Sequence, residues 1–483
     1  MKLNRLPSVA TLAAPLLAAL AAMSGCADMG NIKPQAQQMK VAQLNAGKAI
    51  AAASADVAWP QAQWWQALHD EQLNQLVAAA LADNPGLHVA QARVRQATAL
   101  AGVAKAATLP RVDAAATADR ELYSAHSTVP APLAGNYAWK NTATLSGSYD
   151  LDLWGRNRDV LAAALDEARM ASAESQMARL ALETAVVRTY IQLSLAYALQ
   201  DSVAASLAQR QRILDITHRR LAAGLASEID VTSIETTLPA GRREHEQIGE
   251  SIALLRNQLA ALIGKGPGDG EAIARPLLTL EAGHGEAVPS SLPAELVGHR
   301  PDIAAQRWRV EAAAARIDVA KAEFYPNINL AAFVGFQSLG FTHFLDSNSA
   351  MRGVAPAISL PIFEGGRLRS QLGGQTAAYD GAVEQYNATL VQALSDVANA
   401  VTRIASVQQQ ERLAQRALAS ARRQQQLAEQ AYRAGVTDSL NVIGAQLTLL
   451  NEQQQMAQVA SRQLDNYATL MAALGGGIKL DLP

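Results

Sequence analysis

Residues 139–156 read WKNTATLSGSYDLDLWGR. Alternate positions, Trp139, Asn141, Ala143, Leu145, Gly147, Tyr149 and Leu151, are mostly apolar, and those between them, Lys140, Thr142, Thr144, Ser146, Ser148 and Asp150, are all polar. Successive side chains of a strand point to opposite faces, so this stretch predicts a strand with one greasy and one wet face. That is the pattern of a wall between lipid and an aqueous lumen. Further along, Ile328, Leu330, Ala332, Val334 and Phe336 form one face of a strand, and Val354, Ile358, Leu360 and Ile362 a face of its partner. The segments Glu121 to Tyr137 and Ser338 to Ala350 are polar and irregular, with His, Pro, Gly and Asn, and suit loops at the outer mouth of a barrel.

Asp150, Asp152 and Trp154 stand where strand gives way to helix, which suits a turn and an interfacial anchor better than a ligand set. From Asn157 to Leu221 there is neither Pro nor Gly. At 1.5 Å per residue such a helix is about 100 Å long. A second such pattern, from Gln375 to Arg433, is interrupted only at Gly381. Within it Leu390, Leu394, Val397, Val401 and Ile404 keep coiled-coil spacing, and Met177, Leu180, Val187 and Ile191 mark a similar seam in the first. The long patterns end at Gly224 and Gly435, residues suited to the left-handed turn that closes a helix, and a return helix of about 35 to 40 residues follows each.

The chain is therefore written twice. Pro85 and Pro301 each open a helical pattern, Pro110 and Pro326 end it, and 301 − 85 = 326 − 110 = 216. LAAGLASEIDV, Leu221 to Val231, answers YRAGVTDSLNV, Tyr432 to Val442, and 435 − 224 = 475 − 264 = 211 on the glycines. The register changes only across the strand region, where surface loops absorb length differences. The unit is one helix, a strand pair and a long helical hairpin. Gly264 to Leu296 reads as an irregular linker, and Ala27 to Ala58, small and polar, as an extended tether.

Composition narrows the class. Of the 483 residues, 17% are charged, against about 25% in ordinary soluble domains, and 5% are aromatic. Hydrophobic residues reach 49%, yet mean hydropathy is +0.01, because much of the apolar content is Ala set among Gln, Ser and Thr. Such a chain favours long, closely packed helices over one large aromatic core. A net charge of −2 with dispersed basic residues gives no footprint for nucleic acid. The eight His and nine Met form no metal-binding cluster, and no phosphate loop or nucleophile–base set stands out, so neither a cofactor nor enzymatic chemistry is expected. Beyond the N-terminal segment no run of 18 apolar residues occurs, so membrane crossing requires a closed β-barrel.

Lys2 and Arg5 precede an apolar stretch from Val9 to Ala22, the layout of a signal peptide. It runs into Met23-Ser24-Gly25-Cys26, which resembles a bacterial lipobox with Met in place of the usual Leu. Cys26, the single cysteine, is the expected lipid-attachment residue, and Ala27 favours sorting to the outer membrane. Cleavage after Ala19-Leu20-Ala21, with Cys26 incidental, is the other reading.

The pieces WWQALHDEQLNQLVAAALADNPGL, YDLDLWGRNRD, HRPDIAAQRWRVEAAAARIDVAKAEFYPNINLAA, LPIFEGGRLR, YRAGVTDSLNVIGAQ and ALGGG span Trp64 to Gly477. In this order they resemble the outer membrane efflux protein family (TolC/OprM-like), in particular its NodT-type lipoprotein branch. The resemblance implies a mainly α protein with membrane β structure: a homotrimer in which each chain gives four strands to a twelve-stranded β-barrel and its helices to a periplasmic α-helical barrel. Four strands alone cannot close a useful barrel, which agrees with the oligomer. The implied divisions are 1–25 signal peptide, 26–63 lipid tether, 64–264 first repeat, 265–296 linker or equatorial segment, 297–477 second repeat and 478–483 tail. The implied function is that of a passive outer-membrane conduit in a tripartite efflux pump, lipid-anchored, with its helices in the periplasm. Its partners would be a periplasmic adaptor and an inner-membrane pump of the RND or major-facilitator type. An adaptor itself would have one hairpin between β-rich halves, whereas this chain has two hairpins and two strand pairs.

By the same resemblance, the tips Gly224, Leu225, Ala226, Ser227, Gly435, Val436 and Thr437 would dock the adaptor. Asp230 and Tyr432 match positions that link neighbouring helices in a closed gate, and Leu440 matches a constriction. The residues themselves leave open a second role, Asp230 as a helix cap and Tyr432 as seam packing. Where relatives carry two aspartates past the second tip glycine, this chain has Asn441 and Gly444, so a weaker multivalent-cation block is expected.

Overall fold

The structure is a computed structural model that describes residues 28–40, 44–45, 47–55, 59–126, 128–278, 288–289 and 296–478. The signal segment and Cys26 lie outside the described residues. In chain order the main elements are α1 (Glu71–Asp83), α2 (Pro85–Ala106), β1 (Arg111–Leu122), β2 (Tyr137–Leu151), α3 (Arg156–Ala222), α4 (Glu228–Glu235), α5 (Thr237–Leu262), α6 (Pro301–Ala322), β3 (Asn327–Leu339), β4 (Ala350–Ser359), α7 (Arg367–Arg433) and α8 (Ser439–Ala473). No helix among the described residues is long and apolar enough to cross a membrane.

The chain forms two compact units, each drawing on both sequence repeats. The first comprises the described residues up to Gln38, Arg95–Met170 and Arg307–Gln385. Its centre is a four-stranded sheet in the order β1-β2-β3-β4, antiparallel throughout. Register aligns Ala114, Leu145, Val334 and Arg352 in one row, and Val112, Gly147, Ala332 and Val354 in the next. Paired residues share a face, so the apolar alternation of each strand becomes one mostly apolar surface. The helical segments join the sheet at one end, and the loops after Leu122 and Leu339 lie at the other. At the helical end Trp154 stacks on Tyr325 at 4.6 Å and donates its indole N–H to the Pro326 carbonyl at 2.9 Å.

In the same unit Ile317, Ala320, Phe324 and Leu372 form a buried cluster with Met29 and Ile32 packed on it. The N-terminal segment, read as an extended tether, lies against this cluster. Gln35 and Ala36 donate their backbone N–H groups to the Asp380 carboxylate at 2.9 and 3.0 Å, and Arg369 pairs with Asp28. An extended backbone has donors free along its length, and side-chain acceptors on α7 take them up.

The second unit comprises Met39–Val94, Ala171–Gln306 and the chain from Tyr386 onward. Asp70 caps α1 by accepting the Leu73 N–H at 3.1 Å, and also accepts from the Tyr190 hydroxyl at 3.0 Å and the Leu277 N–H at 2.7 Å. Trp64 and Trp65 are buried, and Tyr467 donates its hydroxyl to the Trp64 carbonyl at 3.0 Å. Arg300, just before the opening proline of α6, bridges Asp302 at 2.7 Å and Asp396 at 3.2 Å and donates to the Ala473 carbonyl at the end of α8. The tether and linker carry further order here. Gly47–Ala53 is helical, Pro267–Glu271 is helical, and Ser54–Ala55 pairs in parallel with Val288–Pro289.

Three boundaries depart from expectation for identifiable reasons. Strand β4 stops at Ser359, short of Ile362, where its partner β3 begins at Asn327 and the pairing ends. Helix α7 starts at Arg367 and runs through Gly373, Gly374 and Gly381, each costing about 1 kcal/mol against Ala, a penalty that a 67-residue helix buried at Leu372 absorbs. The first return helix is divided at Thr236, where α4 ends and α5 begins. Pro239 cannot donate to the Glu235 carbonyl, and its ring crowds that oxygen. Its counterpart in α8, 211 positions on, is Leu450, and α8 is unbroken over 35 residues.

Candidate functional site at the hairpin tips

Both long helices close in the same way. Gly224 has φ +67° and Gly435 φ +73°. The Gly224 N–H donates to the Leu221 carbonyl at 2.9 Å and the Leu225 N–H to the Arg220 carbonyl at 2.7 Å. At the second tip the Gly435 N–H reaches Tyr432 at 3.1 Å and the Val436 N–H reaches Ala431 at 2.9 Å. These are two Schellman closures, which satisfy otherwise orphaned helix-end carbonyls and require a left-handed residue.

The return helices start differently. Ser227 caps α4 with its hydroxyl oxygen facing the Asp230 N–H at 3.4 Å, while the Asp230 carboxylate accepts the Ser227 N–H at 2.8 Å and hydroxyl at 2.7 Å. This is a reciprocal capping box. At the repeat-equivalent place Asp438 caps α8 by accepting the Asn441 N–H at 3.0 Å, and the Asn441 side chain donates to Thr437 at 2.8 Å and Asp438 at 2.9 Å. The Ser227 N–H, then its hydroxyl, and then the charge of Arg220 hold the Asp230 carboxyl below the usual carboxylate range.

Tyr432 is buried among Ile213, Leu214, Val231, Ile234, Leu238, Val442 and Ile443. Thr217 donates its hydroxyl to the Ile213 carbonyl at 2.9 Å, so in the 3.4 Å contact between Tyr432 and Thr217 the phenol is the donor. The Arg220 guanidinium carbon lies 4.7 Å from the centre of the Tyr432 ring. Within one protomer the Asp230 carboxylate therefore bonds to Ser227, the Tyr432 phenol contacts Thr217, and Arg220 stands on the tyrosine ring. All three residues line a cleft of about 410 Å³ together with Thr217, Leu225, Ala226, Gly435, Val436, Thr437, Asp438, Ser439 and Asn441.

Leu225, Val436 and Leu440 are exposed, as is Ile229, which motif matching did not single out. Thr217, Arg220 and Asp438 also escaped sequence matching. The Ser-x-x-Asp capping pattern and an Asp before an apolar-periodic run were legible signals for two of these caps. Asp438, three residues before Asn441, is exposed and carries the carboxylate of this tip. Among the described residues no group of three or more His, Cys, Asp or Glu side chains could hold a metal ion.

A four-stranded sheet with one mostly apolar face, in a chain that also carries two long helical hairpins, is the protomer of a TolC-like outer-membrane channel. Residues 76–265 and 292–476 match the family described as outer membrane efflux protein. The chain is 45% identical over 370 residues to the fusaric acid resistance protein FusA of Burkholderia cepacia, covering 76% of this chain and 69% of that one. It is 31% identical over 474 residues to the multidrug resistance outer membrane protein MdtP of Escherichia coli K12, covering 96% and 95%. The crystal structure of the outer membrane protein VceC from Vibrio cholerae superposes with a TM-score of 0.82 at 37% identity, over 87% of this chain and 100% of that one. The chain belongs to the outer membrane efflux protein family. It is the outer-membrane component of an efflux system.

Proposed function

We propose that three copies of the chain close a twelve-stranded barrel and act as a passive conduit, without chemistry, for small toxic organic compounds. The observation that carries this is the sheet itself. It presents one mostly apolar face but only four strands, with β1 and β4 as its two edges. Open edges cannot stand in hydrocarbon, and about eight strands are the usual minimum for closure. Copies of the same sheet joined edge to edge solve both problems. The exposed apolar residues of the tips, with the polar cleft between them, suit docking of a helical adaptor that in turn contacts an inner-membrane pump of the RND or major-facilitator type. Cys26 carries the covalent lipid that holds the N-terminus in the outer membrane.

Gating in this reading acts across protomers. Leu440 narrows the pore, and tip opening exchanges the bonds of Asp230, Arg220 and Tyr432 for contacts with neighbouring hairpins. The similarity to FusA puts fusaric acid at the head of the cargo panel. The test combines heat-modifiable trimers on gels, single-channel conductance in planar bilayers, and fusaric acid susceptibility of a deletion strain. Trimers that conduct, and a sensitised strain, are expected; a monomer without conductance overturns the proposal. Within it, Tyr432→Phe raises conductance, and unchanged conductance removes Tyr432 from the gate. In-cell crosslinks from Ala226 and Thr437 should reach the adaptor. A lipid label lost in Cys26→Ala verifies the anchor.

A further inference from the structure

The apolar face of the sheet holds two charged residues, and both are arginines. Arg120 on β1 is paired with Trp139, and Arg352 on β4 is paired with Val334, which puts both on the apolar side. Every acidic residue of the four strands lies on the opposite side: Asp113 pairs with Ser146, Asp119 with Lys140, Glu121 with Ala138 and Asp150 with Asn329. The 2.6 Å bond from the Asn329 amide to the Asp150 carboxylate confirms that side. The apolar face is thus cationic and offers its arginines no carboxylate from any strand. Ring closure lays β1 against β4, and neither edge brings an acid to this face.

Depth can be read from the aromatic residues. Tyr137, Trp139 and Phe341 cluster at the loop end, with the Arg120 guanidinium carbon 5.4 Å from the Tyr137 ring centre and Trp139 5.5 Å from Phe341. Tyr149, Trp154 and Tyr325 mark the helical end. From Trp139 to Tyr149 the strand advances about 34 Å at 3.4 Å per residue, or about 26 Å of depth at a tilt near 40°, the height of an outer-membrane apolar band. Arg120 therefore sits in the outer aromatic belt. Arg352 is the third residue of β4 from its loop end, as Arg120 is of β1, and its long side chain can lie along the apolar wall toward that end.

We propose that Arg120 and Arg352 form a seat for a phosphorylated lipid of the outer leaflet, with guanidinium groups on its phosphates and acyl chains on the apolar rows below. The two arginines occupy the two edge strands, so each seam between protomers is flanked by one of each, and the lipid bridges the seam. Guanidinium is the side chain best shaped for paired hydrogen bonds to phosphate oxygens, and burial beside hydrocarbon strengthens them. This inference rests on the ring proposed above.

The test uses the purified full-length trimer in mild detergent, probed by native mass spectrometry with bisphosphorylated lipid A, with the same lipid after phosphate removal, and with inorganic phosphate as competitor. Retained lipid A is expected, weakened about tenfold in Arg120→Gln and in Arg352→Gln while trimers and conductance persist. Removing the phosphates should weaken binding to the same degree, and inorganic phosphate should not displace the lipid. Equal binding of the dephosphorylated lipid, or unchanged binding by both variants, overturns the seat. Loss of the trimer in either variant without added lipid overturns it as well, by making the arginines protomer contacts. A wild-type chain that never forms a trimer overturns the ring instead, so the two failures are distinct.

Discussion

The two hairpin tips of this chain come from one repeated plan, yet they close and restart their helices with different chemistry. Their first halves agree bond for bond: a Schellman turn at Gly224 and another at Gly435. Their second halves diverge. The first tip caps with Ser227 and places its carboxylate at Asp230, three residues into the helix; the second caps with Asp438 and places an amide at Asn441. The first return helix then breaks ahead of Pro239, whereas the second continues through Leu450. Closure tolerates no variation because a left-handed residue must carry it. Capping tolerates much, since any oxygen in the right place satisfies the free N–H groups. Divergence has collected where the physics is permissive, and in the trimer proposed above it makes six similar hairpins alternate in character.

The sharpest way to break the comparison is to exchange the break. Leu450→Pro gives α8 the proline of the first tip and removes a buried side chain, at a cost of about 3 kcal/mol or more. The thermal unfolding midpoint should fall accordingly, while Pro239→Ala should slow amide exchange across Thr236 without harm. Next in size, Gly224→Val and Gly435→Val should each cost about 2 kcal/mol, because the backbone stays left-handed with a branched side chain on it. Near-equal losses of protection at Leu225 and Val436 would show the closures to be equivalent; a large inequality would break that claim.

Smaller effects should separate the caps. Ser227→Ala and Asp438→Ala are each expected to cost about 1 kcal/mol, read as faster exchange in the first turn of α4 or α8 and nowhere else. The smallest effect is a pH response of Asp230. Its folded carboxyl titrates below the ordinary 3.8, so its contribution is complete above that value and disappears as pH falls through the lowered one. Fraying of α4 in acid that Asp230→Asn abolishes, measured by exchange corrected for intrinsic rates, is the expected result. An identical acid response in the variant would assign the effect elsewhere.

Much of this architecture can be read along the chain. Alternation from Trp139 to Leu151 and from Ile328 to Phe336 marks two strands, because a sheet facing two solvents imposes period two on its residues. The tip glycines and the opening prolines are equally visible, since backbone geometry restricts those positions to one or two residue types. The start of α7 at Arg367 is not visible, because Gly373 and Gly374 lower local propensity and only packing around Leu372 outweighs it. Nor is the anchoring of Gln35 and Ala36 on Asp380, a contact across 345 and 344 positions of the sequence.

What the sequence by itself determined is the repeated unit, its strands and long helices, and the glycines that turn them, all features written in local periodicity or in a single residue's φ. What only the tertiary structure decided is who bonds to whom at the tips. Asp230 and Tyr432 match gate positions in the one-dimensional text, but in the folded protomer Ser227 takes the carboxylate, Thr217 takes the phenol and Arg220 covers the ring. A polar side chain pairs with whatever donor or acceptor the fold brings within about 3.5 Å. Thr217 and Arg220, which contact the phenol and the ring of Tyr432, lie more than 200 residues away along the chain, a distance that no local pattern encodes.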